Sequence, residues 1–157
     1  KERWYGGGRY QETLEKIVKI SEKCREAGME LLYHNHHFEF EKTDEGNYQL
    51  DAFYERISAE HLKTELDLCW VKVGGADPAA YLKKYAGRCP IVHVKDFIYR
   101  DGEVVLVAVG DGDVLAEAVV PAAVGSGARW LVVEQDSHTF GTPMENMEKS
   151  LRCVKSK

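Results

Sequence analysis

Leu14, Ile17, Val18, Ser21 and Cys24 recur at spacings of three and four in a stretch free of glycine and proline. That period predicts an amphipathic helix ending before Gly28. Residues 29–35 (MELLYHN) turn from apolar to abruptly polar and read as a strand. A loop carrying Asp44, Gly46 and Asn47 then leads to a short helical stretch near residues 50–58. The cycle repeats with a strand at 63–68 (KTELDL), after which Asp77-Pro78 is an N-cap with proline at the first helical position and Gly87 suits the helix end. CPIVHVKD at 89–96 is the next strand, followed by a hairpin excursion over 97–108. Asp113 then caps a helix running through about Ala123, 129–134 (RWLVVE) is a fourth strand, and Thr142-Pro143 starts a last helix. The apolar face of that helix is read as Met144, Met147, Leu151 and Val154.

Four strand-then-helix units imply a parallel sheet with helical crossovers. A complete (β/α)₈ barrel takes about 250 residues. The 157 residues therefore suit either half of such a barrel or a small open sheet. The chain reads as a single domain over residues 1–157, with no internal repeat or low-complexity segment. The recurrence is one of architecture and not of residues.

Composition narrows the function classes. Hydrophobic residues make up 44% of the chain, enough for a real core. Lys plus Arg total 21 against 26 Asp plus Glu, a formal net charge of −5, which gives no electrostatic reason to expect nucleic acid or an anionic membrane as partner. Cys24, Cys69, Cys89 and Cys153 are widely spaced without a CxxC pair and read as ordinary thiols of a reducing, cytoplasmic compartment. No apolar run approaches the roughly 20 residues of a membrane span. The chain opens on Lys1, so further residues are expected upstream.

The chemistry collects at strand ends. The four strands finish in His34 and His36, in Asp67, in His93 and Lys95, and in Glu134. In parallel α/β architectures that end is the ligand face. Residues two apart on a strand share a side, so His34 goes with His36, Glu65 with Asp67, His93 with Lys95 and Glu134 with Asp136. If each pair faces one mouth, imidazoles and carboxylates converge in a mixed N/O set suited to Mn²⁺, Co²⁺, Zn²⁺ or Mg²⁺.

YHNHHFEF at 33–40, ELDLCWVKVGGADP at 65–78, GRCPIVHVKD at 87–96 and WLVVEQD at 130–136 together resemble the xylose-isomerase-like sugar phosphate isomerase/epimerase family, a group that also includes apurinic-site endonucleases. The resemblance covers nearly the whole chain and implies the C-terminal half of a TIM barrel, strands five to eight, with roughly 100 or more residues upstream supplying strands one to four. It also implies one divalent metal held by Asp67, His93 and Glu134 at the sixth to eighth strands. At the fifth, where the family carries glutamate, this chain has His34. The family's epimerases use the first and last ligands as an acid-base pair, so His34 and Glu134 are the candidate catalytic residues. An imidazole can both ligate metal and move protons near neutral pH.

For several residues a bland reading stands beside the functional one. His36, His37 and Glu39 are either a polar loop or substrate contacts, with His36 carried as a candidate. Lys95 either holds a substrate oxygen or pairs with Asp96 or another carboxylate, and substrate binding is preferred. Trp70 is either packing or a sugar platform. Asp136 reads as a support behind the ligands, and His61 and His138 as loop residues. Gly6-Gly7-Gly8 lacks the strand before it and the GK[ST] after it that phosphate binding requires, so it reads as a flexible approach to the first helix. The expected function is a metal-dependent isomerase or epimerase of a sugar, polyol or keto-sugar, a small-molecule carbohydrate substrate. A dehydratase or lyase of the same superfamily is the alternative, ahead of an endonuclease or a sugar-binding module without catalysis. An exposed half-barrel is also expected to associate with itself.

Overall fold

The alternation of strand and helix in the sequence is realised as one parallel sheet. The structure, a computed structural model, describes residues 5–157. Strands β1 (Leu32–His34), β2 (Lys63–Asp67), β3 (Ile91–Val94) and β6 (Trp130–Val133) lie side by side in the order β1-β2-β3-β6, and every pairing is parallel. Between them run α1 (Tyr10–Glu26), which precedes β1, then α2 (Gln49–Glu55), α3 (Leu68–Val73), α4 (Pro78–Lys84), α5 (Ala116–Gly125) and the last helix α6 (Pro143–Lys155). No helix among the described residues is long and apolar enough to cross a membrane.

The hairpin excursion is β4 (Asp96–Arg100) paired with β5 (Glu103–Val107) in a separate antiparallel sheet. Its two-residue turn is Asp101-Gly102, both at positive φ (54° and 83°), the backbone that the right-handed twist of a tight hairpin favours. The expected helix starts at 78 and 143 are also present. Asp77 Oδ1 accepts from the backbone N–H of Ala79 (2.8 Å) and Ala80 (3.1 Å), and Thr142 and Glu145 form a reciprocal capping box.

The sheet has two unlike faces. Leu66, Val92 and Val94 are completely buried against the helical layer, as are Leu50, Leu68, Leu82 and Ala123 of the surrounding core. The other face carries Glu65, Ile91 and His93, and at its outer strand Trp130 and Val132, which are 66% and 38% exposed. Strand alternation sorts the residues; the helices cover only one of the two sets.

Two polar side chains stitch loops to this frame. Arg88 donates to the carbonyls of Leu62 (3.0 Å), Tyr54 (3.0 Å) and Ile57 (2.8 Å), closing the C-terminal end of α2. Asp96, buried at the start of β4, accepts from the N–H groups of Phe97, Gly110, Gly112 and Val114, which winds residues 108–115 around one carboxylate. A Cβ on Gly112 would run into Phe97 O and Asp96 Oδ1, so only glycine fits this winding.

Three sequence expectations change here. Asp113 does not cap α5: its own N–H is bound to Phe97 O, and Leu115, at φ 55°, occupies the cap position without a side-chain hydrogen bond. The winding around Asp96 sets that start, overriding the local cap signal. The buried side of α6 is not the apolar stripe either. Met144 is 78% and Leu151 46% exposed, whereas Asn146 and Ser150 are buried, with Met147 and Val154 half-buried. Ser150 Oγ accepts from Val109 N–H (2.9 Å), and Asn146 donates to Phe140 O (2.7 Å) and meets His138 (3.1 Å), so two backbone groups decide how the helix is rotated. The third difference is α3, which begins directly where β2 ends and was not anticipated within the run after residue 68.

Candidate metal centre

The strand register brings the ends of β1, β2, β3 and β6 level. His34 is paired with Glu65 across β1 and β2, Asp67 with His93 across β2 and β3, and His93 with Val132 across β3 and β6. Parallel alignment therefore carries side chains separated widely in sequence to one rim. One ligand atom from each of His34, Asp67, His93 and Glu134 lies within 4.8 Å of the others. These four are the residues expected to bind metal.

Asp67 is held most firmly. It ends β2 and caps α3, its Oδ1 accepting from Trp70 N–H at 3.1 Å. Its backbone is clamped by fully buried Asn35, whose Oδ1 accepts from Asp67 N–H (3.0 Å) and whose Nδ2 donates to Asp67 O (3.3 Å). Its other oxygen, Oδ2, is buried without a hydrogen bond of good geometry, although Lys95 Nζ stands at 3.2 Å and His34 Nε2 at 3.9 Å. A buried carboxylate oxygen with no well-formed hydrogen bond, grouped with two imidazoles and a second carboxylate, fits a divalent cation that accepts mixed N/O ligands.

His93 sits between two carboxylates, Nδ1 at 2.6 Å from Glu134 Oε2 and Nε2 at 2.6 Å from Glu65 Oε1. Lys95 is 1% exposed, its ammonium 2.8 Å from Asp136, 3.0 Å from Glu134 and 3.2 Å from Asp67. It pairs with these three and not with Asp96, whose carboxylate binds the loop backbone. Trp70 forms the aromatic side of the site. Lys95 Nζ is 5.4 Å from its ring, and the rings of His36 and His37 lie 5.8 and 5.4 Å away. The His36 ring is also 5.1 Å from that of His34.

These contacts set the charge states. Burial works to lower the Lys95 ammonium, but Asp67, Asp136 and Glu134 outweigh it and hold it above its ordinary value. For Glu134, burial acts upward and is overcome by hydrogen bonds from His93 and Lys95, which bring the carboxyl down to about 2. Asp67 goes the other way, since complete burial pushes it above the usual carboxylate range and Lys95 opposes only part of that. Burial lowers His34, with Asp67 opposing, which favours the neutral imidazole that a metal requires.

Strand alternation places Glu65 on the right face without giving it a part, and the sequence leaves Glu39 as either a polar loop residue or a substrate contact. Glu39 is fully buried and accepts from Tyr33 Oη (2.8 Å) and His36 N–H (2.9 Å), fixing the turn that carries His36. Asn35 went unmarked as well. Its position between two histidines at a strand end was the available signal. All four cysteines are free thiols.

With the geometry in place, the family can be identified by comparison. A family model described as xylose isomerase-like TIM barrel matches residues 2–157. A sugar phosphate isomerase/epimerase from Parabacteroides distasonis superposes with TM-score 0.75 at 25% identity over 89% of this chain and 49% of its own. A xylose isomerase domain protein from Planctomyces limnophilus gives TM-score 0.75 at 19% identity over 99% of this chain and 54% of its own. An L-ribulose 3-epimerase gives TM-score 0.61 at 19% identity over 96% and 49%. The chain spans about half the length of these structures. No curated protein matches it.

Proposed function

The chain belongs to the xylose isomerase-like TIM barrel family, and from that premise we propose that residues 1–157 are one domain, strands five to eight of a (β/α)₈ barrel, carrying the divalent-metal site of a sugar isomerase or epimerase. The half-barrel reading is supported by a parallel sheet covered by helices on one face only, since such sheets are ordinarily covered on both. It is supported too by the fraction of each related structure that the chain spans.

The observation that carries the functional reading is the convergence of His34, Asp67, His93 and Glu134 from four successive parallel strands. When bound there, Mn²⁺, Co²⁺, Zn²⁺ or Mg²⁺ would polarise a carbonyl or hydroxyl oxygen of a carbohydrate and acidify the neighbouring C–H. His34 ends one outer strand of the sheet and Glu134 directly follows the other, and the two are the groups assigned to take and return the proton. His36 and Trp70 line the aromatic side where a sugar ring would lie. Lys95 is the cation of the site, and it reaches a substrate oxygen by exchanging one of its three carboxylate partners. An imidazole at the first ligand position makes the acid-base pair asymmetric, which favours a dehydratase or lyase as the second reading over a two-glutamate epimerase.

Elemental analysis of the purified chain, alone and as Asp67→Ala and His93→Ala, tests the metal. Product analysis on ketoses, keto-inositols and 3-keto-glycosides then separates isomerisation from elimination. Stoichiometric metal lost in both variants is the expected result. Metal and turnover retained in both would overturn the assignment.

A further inference from the structure

The two carboxylates that flank His93 are not equivalent. Glu134, facing Nδ1, belongs to the group of four whose ligand atoms converge; Glu65, facing Nε2, does not. Glu65 lies two residues before Asp67 on the same side of β2 and opposite Ile91 of β3, one step deeper in the sheet than the Asp67 and His93 pair. A long side chain there reaches the diagonal neighbour on the adjacent strand, and Glu65 does so at 2.6 Å. The carboxylate is 29% exposed and stands beside Ile91 on the open face.

An imidazole that gives one nitrogen's lone pair to a metal keeps a single N–H on the other. The acceptor of that N–H selects the tautomer and fixes the ring plane. We propose that Glu65 is the positioning residue of this centre: it accepts the Nε2–H of His93 and thereby presents Nδ1 to a divalent metal shared with Glu134. This rests on the metal site argued above and adds which nitrogen binds and what holds it. The geometry selects Nδ1 because Nε2 is taken by a carboxylate outside the converging set, while Nδ1 already faces one inside it.

Zn²⁺ affinity by chelator competition on the full chain provides the test, with long-range ¹H–¹⁵N spectra of the Zn²⁺-loaded protein reporting the His93 tautomer. Loss of a carboxylate behind a ligating histidine weakens metal binding by roughly 10- to 100-fold. Glu65→Leu is expected to show that loss. Glu65→Gln retains an acceptor oxygen and is expected to keep most of the affinity and the Nε2–H signature, a rescue that a merely space-filling role would not give. Unchanged Zn²⁺ affinity in Glu65→Leu overturns the proposal. So does a parent spectrum with the proton on Nδ1 and the metal on Nε2, which decides the matter even if Glu65→Leu fails to fold. Asp67→Ala, run alongside, keeps the two readings distinct. Zn²⁺ lost in Asp67→Ala and untouched in Glu65→Leu removes only the role of Glu65, whereas a parent that binds no Zn²⁺ overturns both.

Discussion

Replacing Asn35 with leucine, a side chain of similar size, tests how much of the site depends on one buried amide. Asn35 is fully buried and holds both backbone groups of Asp67, accepting from its N–H at 3.0 Å and donating to its carbonyl at 3.3 Å. Leucine fills the space, leaves the N–H without a partner and takes one of two from the carbonyl, which at the N-cap of α3 also receives the first helical bond. An unsatisfied buried polar group costs about 1–3 kcal/mol. In a chain of this size each kcal/mol lowers the melting temperature by about 2–4 °C, which predicts a fall of roughly 2–12 °C by circular dichroism. Because the groups belong to a proposed ligand at the end of β2, Zn²⁺ affinity should fall in the same variant. A melting temperature within about 1 °C of the parent would mean that the two bonds contribute nothing net, and would refute the view that Asn35 sets the position of Asp67.

Two further outcomes are expected. Arg88→Ala removes three hydrogen bonds to the carbonyls of Tyr54, Ile57 and Leu62; since Arg88 is only partly buried and water can replace some of them, the loss should be about 2–3 kcal/mol by urea denaturation, and a shift of the unfolding midpoint near zero would contradict the capping role. Glu134 has its carboxyl lowered from 4.5 to about 2 in the fold, so its contribution is present above pH 4.5 and is lost as pH falls towards 2; the stability difference between the metal-free parent and Glu134→Gln should narrow over that window, and a constant difference would argue against the His93 and Lys95 contacts.

Much of the fold was legible because its signals are local. The N-caps at Asp77 and Thr142 need only the residues two or three positions on, the hairpin over 97–108 joins segments adjacent in sequence, and strand alternation alone places Glu65 with Asp67 and Glu134 with Asp136 on one side. The ionisable ends of four strands pointed to the rim where His34, Asp67, His93 and Glu134 converge. What the chain could not reveal by itself depends on register across distant segments. The face that α6 buries is chosen by Val109 N–H reaching Ser150 and by Phe140 O reaching Asn146, so its most apolar residues, Met144 and Leu151, stay outside. The start of α5 is set by Asp96 gathering the loop, and Asp113 has no say in it. Lys95 has Asp96 beside it in sequence yet forms ion pairs with Asp67, Glu134 and Asp136, because successive strand residues point to opposite faces and the parallel register brings three carboxylates to its own. Periodicity fixes which side of an element a residue occupies; only the packing of one element on another decides which atoms lie within 3 Å, because a buried polar group must find its partner wherever the register brings one.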